Sequence, residues 1–140
     1  MTVKQISIFV ENKIGNLAEV TKVLSDAGVS LHAISLADTK DFGVLRVIVD
    51  DSYLAATTLK EQGYIFSITK VLAVAINDEP GGLYRILTLL EESKINLEYL
   101  YDINTRKSDY AYLIFKVGNV EEAIEVLTKN KVRLLCQEDL

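Results

Sequence analysis

Two short segments combine polar side chains with glycine just before a helical pattern. Residues 77–83 read NDEPGGL, and residues 11–17 read ENKIGNL. A helix N-terminus presents unpaired main-chain N–H groups and a partial positive charge, and a nearby glycine lets a ligand come close to them. An α-carboxylate is a natural guest at such a place. The side chains that could hold its α-ammonium group are Asp78, Glu79, Asn12 and Asn16.

The second of these turns also has a purely structural interpretation. Pro80 and Gly81 could simply form a tight strand-to-helix connection, with proline near the first helical position. The turn alone favours this interpretation over a binding site. Other features of the chain must therefore decide between the two.

Residues suited to catalysis or metal binding are scarce. The chain has one histidine, one cysteine and no tryptophan, whereas nucleophilic catalysis needs a nucleophile and a base within reach. We expect His32 to lie at the surface or at the edge of a ligand site, and Cys136 to serve packing. The sequence therefore predicts a protein that is not an enzyme, with no catalytic residue, no metal site and no cofactor.

Composition indicates a folded protein with few basic features. Of 140 residues, 49% are hydrophobic and 25% are charged, which is a normal globular balance. The net charge of −5 and the lack of a basic run argue against nucleic acid and anionic membranes as partners. One cysteine rules out a disulfide framework. With no signal-peptide pattern and no apolar run of roughly 20 residues, we expect a cytoplasmic location.

The chain contains an internal repeat. Residues 8–36 match residues 74–102, with Gly15 opposite Gly81 and Leu31 opposite Leu97. Each copy has the rhythm of strand, helix, two strands, helix and strand. We therefore predict two tandem units, residues 1–69 and 70–140, of an α+β class with ferredoxin-like βαββαβ order. In each unit an antiparallel sheet is expected to carry both helices on one face. The sheets of the two units could join into one continuous sheet.

Several element boundaries follow from local signals. Gly28 should end the first helix, and Ser52 and Asn119 should act as N-caps of the second helix of each copy. The last strands are predicted over residues 64–68 and 132–136. These boundaries place residues 11–17 and 77–83 between the first strand and the first helix of each unit.

The sheet face opposite the helices is expected to be unusually apolar. The side chains predicted on it are Phe42, Val44, Ile48, Tyr99, Tyr101, Tyr110, Tyr112 and Ile114. Such a patch is too large for a free surface. We expect a second copy of the chain to cover it, because two-fold homodimers are the commonest assemblies. The alternative is that tyrosine simply suits strands.

The NDEPGGL segment resembles the D-x-P-G-x-L turn of ACT domains, and the following KINL, residues 94–97, resembles that family's I-N-I segment. The ENKIGNL turn and the VSL of residues 29–31 occupy the same places in the first copy. The resemblance covers essentially the whole chain, twice. It implies a regulatory module that binds an amino acid at an interface between two ACT units.

The resemblance also implies contact residues. Asp78 and Asn12 occupy the place of a ligand-contacting polar residue, and Asn96 and Ser30 that of an asparagine on the neighbouring unit. Ile14 replaces proline and Ser30 replaces asparagine, so the two copies need not bind equally. The expected ligand-binding residues are Asn12, Ile14, Gly15, Asn16, Leu17, Ser30, Asp78, Pro80, Gly81, Gly82, Leu83 and Asn96.

Two other functions stay open at this point. The chain could be an ACT-like interaction subunit that docks on a separate metabolic enzyme without a ligand of its own. RNA binding is more remote: the βαββαβ order is also that of the RNA-recognition motif, and residues 41–44 and 109–112 faintly echo its aromatic signature. The acidic charge argues against RNA.

Overall fold

The structure, a computed structural model, describes residues 1–38, 41–104 and 110–140. The chain divides into two compact units. The N-terminal unit comprises Lys4–Thr69, and the C-terminal unit comprises Lys70–Leu140 together with Met1–Val3. Asp109, part of the aromatic echo noted above, lies outside the described residues.

The N-terminal unit has the predicted βαββαβ order. Its elements are β1 (Val3–Glu11), α1 (Asn16–Asp26), β2 (Leu31–Asp38), β3 (Phe42–Val49), α2 (Ser52–Glu61) and the first part of β4 (Ile65–Asn77). The strands lie side by side in the order β2-β3-β1-β4. Antiparallel pairing sets Ile6 opposite Val47 and Ile8 opposite Leu45, which points these side chains to one face.

The C-terminal unit repeats this arrangement. The rest of β4 is followed by α3 (Gly82–Glu92), β5 (Leu97–Asp102), β6 (Tyr110–Val117), α4 (Val120–Lys129), β7 (Leu134–Leu135) and a short 3₁₀ helix (Gln137–Asp139). The strand order is β5-β6-β4-β7. The predicted fold of two ferredoxin-like units is confirmed.

Each unit buries one face of its sheet under its own two helices. In the N-terminal unit Val20 and Leu24 of α1 and Ala55 and Leu59 of α2 pack on strand residues such as Ile8. The same positions of the C-terminal unit form its core, which includes Ile86, Leu90, Ala123, Leu127 and Phe115. Burial of these apolar side chains is the main driving force that holds each helix pair on its sheet.

Three predicted boundaries were inaccurate. The strand expected over residues 64–68 continues without a break into the next one, as β4. The last strand is shorter than residues 132–136, because Cys136 N–H donates to Asp139 Oδ2 (2.8 Å) and the chain turns into the 3₁₀ helix. The N-cap of α2 is Asp51 and not Ser52, since the Asp51 carboxylate accepts from Leu54 N–H.

The sheet face opposite the helices is less exposed than predicted. Ile48 and Ile114 have no exposed surface, and Tyr112 and Tyr101 expose only 5% and 8% of theirs, in a single chain. Only Phe42 and Tyr110 remain clearly exposed. Four of the eight side chains are thus buried without a second copy, and Val44 and Tyr99 are partly buried. That a second copy covers the rest of this face stays a prediction.

The helices α1, α2, α3 and α4 end with the same left-handed turn. Gly28 and Gly63 adopt φ of 80° after α1 and α2, as predicted for Gly28, whereas Lys94 and Lys131 adopt φ of 58° and 61° after α3 and α4. The following N–H groups bond back to the helix, for example Val132 N–H to the Leu127 carbonyl at 2.9 Å. A lysine in this conformation is strained, because its Cβ crowds the backbone.

Replacing either lysine with glycine should stabilise the protein. Lys94→Gly and Lys131→Gly each remove a Cβ from a left-handed residue, and we expect the free energy of unfolding to rise by about 1 kcal/mol. Urea denaturation measures this change. The reverse substitution Gly28→Lys should lower stability by a similar amount, and equal stability of all four proteins would contradict the strain argument.

Gly82, the first residue of α3, is required by packing. A Cβ placed on it would lie 2.3 Å from the Asn77 carbonyl oxygen and 3.1 Å from Ile76 Cγ2. Real side chains do not tolerate the first distance, so the start of α3 would have to move away from β4. Gly82 thus serves the contact between helix and strand, and its predicted part in ligand access stays a prediction.

Gly82→Ala should therefore destabilise the protein by about 1–3 kcal/mol, as overpacking does. Gly118→Ala is the matched control, because the nearest atom to its Cβ would be the Asn96 carbonyl oxygen at an ordinary 3.9 Å. Thermal unfolding of both variants tests this. A Gly82→Ala protein as stable as the Gly118→Ala control would refute the packing requirement.

Candidate functional site

The two strand-to-helix turns have the same backbone. After β1, Lys13 N–H donates to the Glu11 carbonyl at 2.9 Å and Asn16 N–H to the Lys13 carbonyl at 3.2 Å. After β4, Glu79 N–H donates to the Asn77 carbonyl at 2.8 Å and Gly82 N–H to the Glu79 carbonyl at 3.1 Å. Because the hydrogen bonds repeat, the chain has two similar turns that lead into a helix. We call these two helix N-termini, at Gly15 and Gly81, the helix entrances.

A glycine in the left-handed region stands at each entrance. Gly15 and Gly81, the N-cap residues of α1 and α3, both adopt φ of 87°. A Cβ on either would meet no atom within 4 Å, so the space outside these residues is open. The backbone conformation, rather than crowding, is what demands glycine at both positions.

The helices that follow these glycines differ from the other two in how they begin. Asp51 caps α2 by accepting from Leu54 N–H at 3.0 Å, and Asn119 caps α4 by accepting from Glu122 N–H at 3.1 Å. In the part of the chain that the structure describes, no side chain caps α1 or α3.

The equivalent N–H groups of α1 and α3 belong to Ala18 and Tyr84. Neither these groups nor those of Leu17 and Leu83 donate to an acceptor among the described residues. Four main-chain donors, two in each unit, therefore face outward beside the positive end of a helix dipole.

A pocket of about 280 Å³ lies against the C-terminal turn. Pro80, Gly81 and Gly82 form its side at the turn, and Ile76, Ile86 and Val132 supply apolar wall. Glu79, Arg85, Tyr110, Lys131 and Arg133 also line it. Three of the predicted site residues thus meet in one cavity that carries both charges and apolar surface.

The N-terminal turn borders a smaller cavity of about 60 Å³. Asn12 and Leu17 line it together with Leu36 and Asp38 of β2. Ile14, which occupies the place of Pro80, is fully exposed. The Asn16 side chain donates from Nδ2 to the Glu11 carbonyl at 3.1 Å, so part of its hydrogen-bonding capacity is already used by the turn.

Some predicted site residues do not line the turn cavities. Asp78 and Leu83 lie at the C-terminal turn, yet they are not among the residues that line its pocket. Asn96 borders a separate, shallow depression beside Lys94 and Leu97. Within each unit, the structure therefore does not bring Ser30 or Asn96 to the turn.

Ser30 takes part in a local backbone arrangement. Its N–H donates to Asp50 Oδ1 at 2.9 Å, and its carbonyl accepts from Asp50 N–H at 3.1 Å. The hydrogen bond from Ser30 N–H to the carboxylate lowers the pKa of the Asp50 carboxyl group, and a second one from Asp51 N–H acts in the same direction. These contacts fix the start of β2 and leave the Ser30 side chain exposed.

Arg85, Lys131 and Arg133 were not anticipated from the sequence. Arg85 lies one helical turn beyond Gly81, whereas the other two come from the distant link between α4 and β7. An alignment of the two copies contained a signal, because Glu19, Gly63 and Ile65 stand at the corresponding positions. That comparison shows a cluster of positive charge present in the C-terminal copy only.

Other kinds of site receive no support. Among the described residues, no group of three or more histidine, cysteine or carboxylate side chains is placed to hold a metal ion. Within the same residues, no helix has the length and apolar character needed to cross a bilayer. His32 is half-buried on β2.

Comparisons with known proteins agree with this architecture. A family model described as an ACT domain pair matches residues 1–140. The structure of protein BT0572 from Bacteroides thetaiotaomicron superposes with a TM-score of 0.93 at 37% identity, covering 99% of this chain and 95% of that one. No similar sequence was found among curated proteins.

More distant structures share the fold. The regulatory subunits of aspartate kinase from Thermus thermophilus, in its ligand-free form, and from Thermus flavus give TM-scores of 0.60 and 0.63. Each is 14% identical to this chain, and the match covers 90% of both chains in each comparison. The match to the family model over the whole length carries more weight than these likenesses, and it shows that the chain belongs to the ACT domain pair family.

Proposed function

We propose that this protein is a regulatory module that binds an amino acid at its strand-to-helix turns. One observation carries the proposal: α1 and α3 begin at a left-handed glycine without a capping side chain, whereas Asp51 and Asn119 cap α2 and α4. ACT domains are typically regulatory modules that bind amino acids, and the unpaired N–H groups stand at the turns where the family resemblance points.

The chemistry of an amino acid matches these turns. Its α-carboxylate would accept from the outward N–H groups, namely those of Leu83 and Tyr84 at the C-terminal turn. Its α-ammonium would lie near Glu79, which lines the pocket, or near the exposed Asp78. Ser30 and Asn96 enter the proposal only through the resemblance.

The protein's role would be regulatory and not catalytic. The described residues include no cluster suited to metal chemistry, and the family's role is regulation. The aspartate kinase structures come from regulatory subunits. By analogy, we propose that this chain responds to its ligand by changing how it associates with a separate metabolic enzyme.

A homodimer belongs to the same proposal. Ile34 and Leu36 of β2 expose 48% and 53% of their surface, and β2 lies at the end of the strand order. An apolar edge of this kind is a liability for an isolated chain. A second copy that pairs along β2 would remove these side chains from water.

Thermal unfolding against each common amino acid, one at a time, tests the function. A ligand that binds only the folded protein, at about 100 times its dissociation constant, adds roughly 2.7 kcal/mol of stability. We expect a clear increase in melting temperature with one amino acid or one chemically related group. No increase with any amino acid would refute ligand binding and favour the interaction-subunit alternative.

Substitution of a turn glycine then locates the site. Gly81→Asn places a side chain beside the N–H groups, and asparagine tolerates a positive φ better than most residues. Gly28→Asn is the matched control, since Gly28 has φ of 80° and open space but stands at the end of a helix. We expect Gly81→Asn to abolish the ligand-induced shift and Gly28→Asn to keep it.

A further inference from the structure

We infer that the C-terminal turn pocket selects an amino acid whose side chain is itself acidic. The inference rests on the proposed function, because it names the class of amino acid that the same turn would take. Two features support it: positive charges line the pocket, and the other copy has no positive charge at the corresponding positions.

The pocket carries an excess of positive charge. Arg85, Lys131 and Arg133 line it, and Glu79 is the one carboxylate among the lining residues that the structure describes. Within the described residues, the three cationic side chains make no hydrogen bond or ion pair. Their charge is therefore available to a ligand, and a cleft that gathers one sign of charge attracts the opposite sign.

The helix N-terminus and the cationic side chains offer two separate places for anionic groups. Leu83 and Tyr84 stand next to the lining residues Gly82 and Arg85 without lining the pocket themselves. An α-carboxylate held at their N–H groups, at the rim of the pocket, would leave Arg85 and Arg133 for a second carboxylate inside it. Guanidinium pairs with carboxylate through two parallel hydrogen bonds, which makes it selective for that group. A pocket of about 280 Å³ suits a small metabolite of this kind.

The N-terminal unit is an internal comparison. Glu19 stands where the C-terminal unit has Arg85, and Gly63 and Ile65 stand where it has Lys131 and Arg133. The Tyr64 hydroxyl, at the place of Val132, lies 3.4 Å from Glu19 Oε1, so a hydrogen-bonded pair occupies this region. Since the two turns share one backbone, the positive charge is a separate property of the C-terminal copy.

Lys131 combines a charge at the pocket with a left-handed backbone. It adopts φ of 61° at a position where the other copy has glycine, and glycine would be free of that strain. Lys94 is strained in the same way where the other copy has Gly28, so the strain alone does not assign Lys131 a role. The Lys131 side chain supplies one of the three positive charges of the pocket. Lys94 does not line the pocket, which makes it the matched control.

Isothermal titration calorimetry with matched ligands tests the selectivity. Glutamate and glutamine, and likewise aspartate and asparagine, differ in side-chain charge and hardly in shape. An acidic ligand can form an ion pair with the pocket that its amide cannot form. We therefore expect glutamate to bind roughly tenfold or more tightly than glutamine, or aspartate than asparagine. Succinate and inorganic phosphate serve as anions without an α-ammonium group.

Variants assign the selectivity to the pocket. Arg85→Gln combined with Arg133→Gln should remove the preference for the acidic ligand, because it weakens binding of that ligand far more than binding of its amide. Lys131→Gly should weaken binding of the acidic ligand while raising the melting temperature of the free protein. Lys94→Gly should raise the melting temperature and leave binding unchanged. The comparison separates the effect of losing a charge at the pocket from the effect of relieving backbone strain.

The outcomes distinguish this inference from the function on which it rests. If a neutral amino acid binds as tightly as the acidic ones, the inference is overturned and the proposed function stands. If succinate or phosphate binds as tightly as glutamate and aspartate, the pocket is a general anion site and the inference is again overturned. If no amino acid binds at all, both the inference and the proposed function are refuted.

Discussion

The left-handed glycine at each strand-to-helix turn is the constraint on which the candidate binding surface depends. Gly15 and Gly81 share one φ value, and this conformation lets the helix begin without a side chain over its first N–H groups. The same chain caps its other two helices with Asp51 and Asn119. Open helix entrances are therefore specific to the two turns.

The two copies keep this backbone and differ in what surrounds it. The C-terminal turn has a pocket with three cationic side chains, whereas the N-terminal turn borders a much smaller cavity beside β2. Duplication explains such a pattern, because both copies can keep the backbone of the turn while one of them acquires side chains that select a ligand. On this account a single chain has two entrances of unequal affinity and different charge selectivity.

The sequence predicted the fold well, because its periodicity is strong and occurs twice. Ile6, Val20 and Leu59 fall at core positions in one copy, and Leu72, Ile86 and Leu127 do so in the other. Features that depend on distances were missed. The closeness of Gly82 to the Asn77 carbonyl, and the lining of one pocket by both Arg85 and Arg133, arise only when β4, α3 and the segment before β7 are assembled.

Amide chemical shifts during titration with a stabilising amino acid test the central claim most directly. The account predicts that ligand moves the N–H resonances of Tyr84 and Leu83, while those of Leu54 and Glu122, which are already capped, stay in place. Smaller changes at Ala18 would report the second entrance. Binding that leaves Tyr84 and Ala18 unmoved would show that the ligand does not use the helix entrances, and would contradict the account.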